Sequence, residues 1–424
     1  MKTPLVLRYF IGSMLIFAIS MIIVSTRALR SLEMESTSSA FGRFYQPDFR
    51  VANRSDVPIK ILPIYEPMPQ DVFLGVAKDI VHRLKSVGAK VVIIPLPEYV
   101  RASPAVLESM REISRDSIAL FGVPGSPVYG NERYRPDDRS RWWAHHPAYH
   151  KLDISWGAMT AAPRDFSFLI PFVPTGYRDD DSGSPVPDIG VLAMKRFLGI
   201  PDKTELPTAS SRLQLGPYAI PIEHDGLCYT KFQWTSADWM DLSATYPAGK
   251  DSLQFFATAA YGWTNKAAID SAWQAHRGKI VLIDWVGLSN YPYSRNAWIY
   301  AHILNSIFTR TFIRIHNEWT VLLITTLVIL LSVLSYTVRN GFMIFVSFVL
   351  AVGAMAISVW LFGKHDVLFE PMYVMVPIIL SGVILPIVKV VGEKRLVEEK
   401  IKSLEDENKR LSDLLRPPSS RDQS

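Results

Sequence analysis

The stretch "PIKILPIYEPMPQDVFLGVAKDIVHRLKSVGAKVVII", Pro58 to Ile94, sets two short apolar runs on either side of a helical pattern. "PIKILPI" reads as a buried strand. Asp71 stands as the cap of a helix whose Phe73, Val76, Ala77, Ile80 and Leu84 share one face, and Gly88 ends that helix. "AKVVII" then follows at once as a second buried strand. Two strands joined by a helix are parallel, with a right-handed crossover. The pattern repeats in the helix "PAVLESMREIS" and the strand "SIALFG". Farther along, "NKAAIDSAWQAHRG" reads as helix, "KIVLID" as strand and "NAWIYAHILNSIFTR" as helix. The Asp225-Gly226 pair between alternating runs predicts a hairpin. The expected class is an α/β domain with a mixed, largely parallel sheet and an antiparallel hairpin.

Around this domain the chain changes character. It has 424 residues, 49% hydrophobic and 20% charged, with a pI near 9.0, which suggests a membrane protein carrying one large polar part. A net charge of +5 is too small to argue for nucleic acid, and the single Cys228 allows no intrachain disulfide. Crossing a hydrocarbon core takes about 20 apolar residues. Four stretches qualify: Tyr9 to Thr26, Trp319 to Val338, Gly341 to Phe362, and Met372 to Pro386 continued by "IVKVV", in which Lys389 is expected to snorkel to the headgroups. The first three contain no charged residue, unlike a transport pathway. "STRALRS" offers no clean signal-peptidase site, so the first stretch is expected to remain as an anchor. Lys2, Arg8, Arg339, Lys394, Arg395, Lys400 and Lys402 flank the spans on one side, which the positive-inside rule places in the cytoplasm. The expected organisation is an anchor (1–26), an extracytoplasmic domain (27–318), three spans (319–391) and a cytoplasmic tail (392–424). The expected location is the bacterial inner membrane, multi-pass, with the large domain in the periplasm or outside.

The tail reads "EKRLVEEKIKSLEDENKRLSDLLRPPSS", Glu393 to Ser420. Val397, Ile401, Leu404, Asn408, Leu411 and Leu415 alternate steps of four and three, the d and a positions of a coiled coil. Asn408 at an a position favours a parallel pair, so a homodimer is expected. Lys400 meets Glu405 of a partner copy, whereas Glu393 and Glu398 repel. The alternative is a single amphipathic helix lying on lipid. The residues after Leu415 are too few for a domain, so output is expected from an unknown cytoplasmic or envelope protein.

Three groups carry candidate chemistry. Glu66, Glu98 and Asp284 each stand at or just beyond the end of a predicted strand. If those strands are neighbours, the carboxylates and Trp285 line one crevice suited to a cation or polyol-like ligand of unknown identity. Solvated loop charges are the competing reading. "WWAHHPAYHKLD" brings His145, His146, His150 and Asp153 together, donors of the type zinc prefers, against the alternative of a polar aromatic loop. "GVPGSPVYG" fits neither a Walker loop nor a nucleophile elbow, and "YRDDDSGS" lacks the spacing of a calcium loop. No catalytic residue and no cofactor is expected.

The segments "GAKVVII", "LQLGPYAIPIEHDGLCYTKF", "RGKIVLIDWVG" and "WIYAHILNSIF", set between one anchoring span and three closing spans, resemble the CHASE domain of the second type, over about residues 30 to 390. Tyr65-Glu66, Pro95, Asp284 and Tyr300-Ala301 depart from that pattern. The resemblance implies an extracytoplasmic sensor domain that signals through a cytoplasmic helix. Its rivals are a structural subunit of an envelope complex and an extracytoplasmic hydrolase.

Overall fold

A computed structural model describes residues 5–26, 28–29, 57–65, 68–96, 103–124, 155–159, 169–172, 174–177, 185–206, 208–209, 212–223, 228–231, 239–245, 254–257, 266–285, 296–315, 317–365, 367–368 and 370–415. The chain divides into two compact units. One comprises Met1–Thr37, His316–Leu361 and Leu368–Ser424, and the other Ser38–Ile315 and Phe362–Val367. Helix α1 (Leu5–Thr26) opens the first unit.

The second unit is α/β. In chain order it contains β1 (Ile59–Ile64), α2 (Gln70–Val87), β2 (Val91–Pro95), α3 (Pro104–Ser114), β3 (Ala119–Pro124), β4 (Trp156–Met159), β5 (Leu169–Phe172), β6 (Thr175–Tyr177), β7 (Pro185–Pro187) and α4 (Ile189–Phe197). There follow β8 (Thr208–Ala209), β9 (Arg212–Leu215), β10 (Tyr218–Pro221), β11 (Cys228–Lys231), β12 (Leu242–Thr245), β13 (Gln254–Ala257), α5 (Lys266–Gln274), β14 (Ile280–Trp285), α6 (Asn296–Thr309) and β15 (Phe312–Ile315). The main sheet runs β13-β12-β1-β14-β2-β3-β4, parallel throughout except for the edge strand β13. Thus β1 and β2 are parallel as expected, but β14 lies between them.

Local chemistry explains the borders of these elements. Gly88 takes φ 86 to close α2, donating its N–H to carbonyls of the last turn. Ser103 accepts from the Val106 amide to start α3, with Pro104 at the first helical position. Helix α2 begins at Gln70, after Pro69, so Asp71 sits within the first turn, where it complements the helix dipole instead of capping.

Because side chains alternate along each strand, the sheet is buried on both sides. Leu62, Ile64, Val92, Ile94, Val281 and Ile283 pack with α2, α3 and α5. Ile59, Ile61, Val91, Ile93, Ile280 and Leu282 pack with α4 and α6.

The hairpin expected at Asp225-Gly226 does not form. That pair lies outside the described residues, but its flanking strands go to different partners: β10 pairs with β9, whereas β11 pairs with β5 and β15. The hairpin is instead β9–β10, closed by Gly216-Pro217 between the paired Leu215 and Tyr218. Gly216 has φ 57, a conformation that glycine adopts freely at the first position of a two-residue loop.

The first unit holds α1, α7 (Asn317–Thr337), α8 (Asn340–His365) as far as Leu361, and α9 (Pro371–Leu415). All four helices are long and apolar enough to cross a membrane. Ile16, Ile324, Val328, Leu331, Ile378 and Leu385 form their shared core. Ser13 and Ser332 hydroxyls meet at 2.6 Å, and the rings of Tyr9 and Tyr336 meet edge to face. Span four and the tail are one unbroken helix of 45 residues, through Pro377, Pro386 and Gly392. At 1.5 Å per residue it is about 68 Å long, roughly twice the hydrocarbon thickness.

Lys389 does not simply snorkel. Its Nζ donates to the carbonyls of Val338, at 2.7 Å, and Ser335, at 3.5 Å, at the C-terminal end of α7, where unsatisfied carbonyls gather. Replacing Lys389 by Met leaves those carbonyls without this donor in an apolar setting. The expected loss is about 2 kcal/mol, measured as a lower midpoint of detergent-induced unfolding of the full chain.

Candidate ligand crevice and the helix beside it

Strand β1 is followed by α2 on one face of the sheet, and its neighbour β14 is followed by α6 on the other. Adjacent parallel strands whose helices leave to opposite faces open a crevice at their carboxyl ends. β1, β14 and β2 are consecutive and in register, with Pro63 opposite Asp284, Ile64 opposite Trp285 and Leu282 opposite Ile93. The three strands whose ends carry Glu66, Asp284 and Glu98 are therefore neighbours. Glu66 and Glu98 themselves lie outside the described residues.

Asp284 is buried, 4% exposed, and its Oδ2 accepts a 2.9 Å hydrogen bond from the indole Nε1 of Trp298 in α6. It is not a solvated loop charge. Trp285, one residue on, points to the opposite face and stacks on Phe73 of α2, with ring centroids 4.3 Å apart and planes 6° off parallel. The pleat therefore separates two groups that a single crevice wall would have grouped. Tyr65, 44% exposed, marks the rim, its amide donating to the Ala244 carbonyl.

Sequence reasoning missed a second buried carboxyl. Asp188 caps α4, its Oδ1 accepting from the Gly190 amide at 2.8 Å, while its Oδ2 accepts from the Tyr300 hydroxyl at 2.9 Å. "PDIGVLAM" carries the signal, an aspartate directly before an apolar helical run. Gly157 allows β4 to lie close to this helix start, since a Cβ there would meet Ile189 backbone at 2.9 Å.

Helix α6 thus supplies both donors, and it is buried on every side from Trp298 to Ile307. His302 sits in its middle with its ring 5.1 Å from that of Trp239, and burial pushes its pKa down to about 3. Beyond Thr309 the helix turns through Arg310 at φ 59, a left-handed conformation unusual for a side-chain-bearing residue. The Thr311 amide reaches back to the Ser306 carbonyl, and the Arg310 guanidinium donates to the Pro217 carbonyl at 3.0 Å. The hairpin turn and the helix end are thereby tied together.

The remaining chemistry is sparse. His145, His146, His150 and Asp153 lie outside the described residues, among which no group of three or more His, Cys, Asp or Glu side chains is placed to hold a metal. Lys195 is buried, which lowers its pKa, but its amine is engaged by the carbonyls of Asp202 and Thr204. Comparison with protein-family models, curated proteins and solved structures finds no match for the chain.

Two outcomes follow for α6. Tyr300→Phe removes one donor from the buried Asp188 carboxyl and is expected to cost about 2 kcal/mol, read from urea unfolding of the full chain in detergent by tryptophan fluorescence. His302 has its pKa depressed by folding, so it favours the folded state fully above pH 6.5, and this contribution is lost as pH falls toward 3. Between pH 7 and 4.5 the wild-type protein should lose about 3 kcal/mol more than His302→Phe, which keeps a ring beside Trp239 but does not titrate.

Proposed function

We propose that the chain is a membrane-anchored extracytoplasmic sensor or scaffold of the CHASE type 2 class, acting through its cytoplasmic helix on a separate protein. The observation that carries this reading is the chemistry of α6. A buried helix that donates to Asp284 beside the sheet's switch-point crevice, and to Asp188 beneath the same face, is suited to registering what enters that crevice. It is followed by β15 and then, after the single residue His316, by the apolar helix α7. In this reading Glu66 and Glu98, which follow β1 and β2 in the chain, bind a cationic or polyol-like ligand. Asp284 does not meet it directly but sets the position of Trp298. The large unit lies outside the cytoplasmic membrane, and the tail, whose first residues include Lys394 and Arg395, lies inside.

A scaffold that has lost its ligand would keep the same buried bonds. Thermal unfolding of the full chain in detergent separates the two, with polyamines, polyols and divalent cations as probes. A shift with one probe class, abolished by Glu66→Gln with Glu98→Gln but retained by Asp284→Asn, is the expected result for a sensor. No shift with any of them, together with a shift on adding envelope proteins, would favour the structural role.

A further inference from the structure

We infer that α9 is the contact between two copies of this chain over most of its length, forming one parallel seam that starts inside the membrane and runs unbroken into the tail. This extends the dimeric tail of the reading above and rests on it. The heptad that places Val397, Leu404 and Leu411 at d continues backward in phase to Val390 and Val383, and the a phase continues from Ile401 through Lys394 to Ile387. Because the helix is continuous across Gly392, this phase is preserved in space and not only in sequence.

Exposure follows the same phase. Within the apolar part, Val383, Ile387 and Val390 are 55%, 56% and 53% exposed. Ile378, Leu385 and Gly392, seven residues apart at the f position, are buried against the bundle. In a helix the f position lies about 170° from the centre of the a/d face, so the bundle grips α9 from behind and leaves the seam outward. Apolar side chains facing lipid carry no penalty, so their exposure alone would mean nothing. The phase shared with a water-exposed stripe, in which Val397, Ile401 and Leu404 are 57%, 51% and 55% exposed, is what singles out another copy of α9 as the occupant. Apolar residues at that exposure in water need a cover.

Charge supports the same partner and register. Lys394 takes the a position where the seam leaves the apolar segment, and its amine lies 4.0 Å from Glu398 of the same helix. In a parallel pair an a residue is flanked by the partner's preceding g residue, here Glu393, so the two lysines lie among the glutamates that would otherwise repel one another. One heptad further on, Lys400 at g faces Glu405 at e of the other copy. An antiparallel pair loses this match.

The test uses the full chain in native membranes, with Cys228 replaced by Ser and one new cysteine per variant. Under mild oxidation, Val383→Cys and Val390→Cys are expected to crosslink as efficiently as Leu404→Cys, whereas the f-position controls Glu399→Cys and Asp406→Cys are not. Adding Lys394→Glu to Val390→Cys should abolish its crosslink, and Glu398→Lys placed on top should restore it. Crosslinks at 404 without any at 383 and 390 would overturn the membrane seam while leaving the dimeric tail intact. Crosslinks at none of these sites, or equal yields at d and f positions, would overturn both, and neither outcome bears on ligand binding by the outer unit.

Discussion

A sheet covered by helices on both faces leaves no water for a carboxyl group beneath it, so Asp188 and Asp284 require hydrogen-bond donors where they stand, and α6 carries a donor for each. Leaving such a group without a partner costs about 1 to 3 kcal/mol, comparable to a large share of a domain's net stability. The residue types on α6 follow from that need. Trp298 and Tyr300 bring an apolar body that fills the core and one polar atom that satisfies the acid. His302 fits the same helix only by staying neutral. Ile299, Ala301, Ile303, Leu304 and Ile307 fill the core around them, and the polar Asn305 and Ser306 are buried on the same helix.

Much of the architecture was legible from residue patterns because it follows from local rules. Uninterrupted β-branched runs such as Val91–Ile94 mark strands buried on two faces, Gly88 marks the end of a helix, and Ser103-Pro104 marks the start of another. The four apolar helices were legible for the same reason. What could not be read is what depends on distant partners. Nothing in "KIVLID" tells that it inserts between β1 and β2, since strand order is decided by which helices cover which face. The Asp225-Gly226 signal misled because turn propensity is local, while the partners of β10 (β9) and of β11 (β5 and β15) are set by the fold. Gly216-Pro217, with glycine at the left-handed position, was the stronger turn.

The candidate site was legible only in part, and for one physical reason. Charge at a strand end suggests a crevice, and the neighbouring order of β1, β14 and β2 fits that suggestion. Yet the sequence does not say which acids meet solvent. Asp284 is covered by Trp298, fourteen positions on, and Trp285 is turned by the pleat to the far face against Phe73. Asp188 drew no notice, since a cap residue looks like any loop aspartate until the tyrosine that bonds it is brought near by the fold.

The C-terminal end of α6 is where these constraints meet the next segment. A non-glycine residue in the left-handed region costs roughly 1 kcal/mol, and Arg310 is held there by its bond to the Pro217 carbonyl and by its approach to the Tyr218 ring. Thr309 and Thr311 hydroxyls close the same turn at 2.7 Å. The chain then enters β15, which is paired with β11, so no slack is introduced between the helix and the strand. A displacement of α6 along its axis cannot be absorbed in the turn without breaking the Arg310 bond, nor in β15 without breaking the ladder to β11. A change in the position of Trp298 or Tyr300 is therefore resisted jointly by the Arg310 turn and by the β15–β11 ladder.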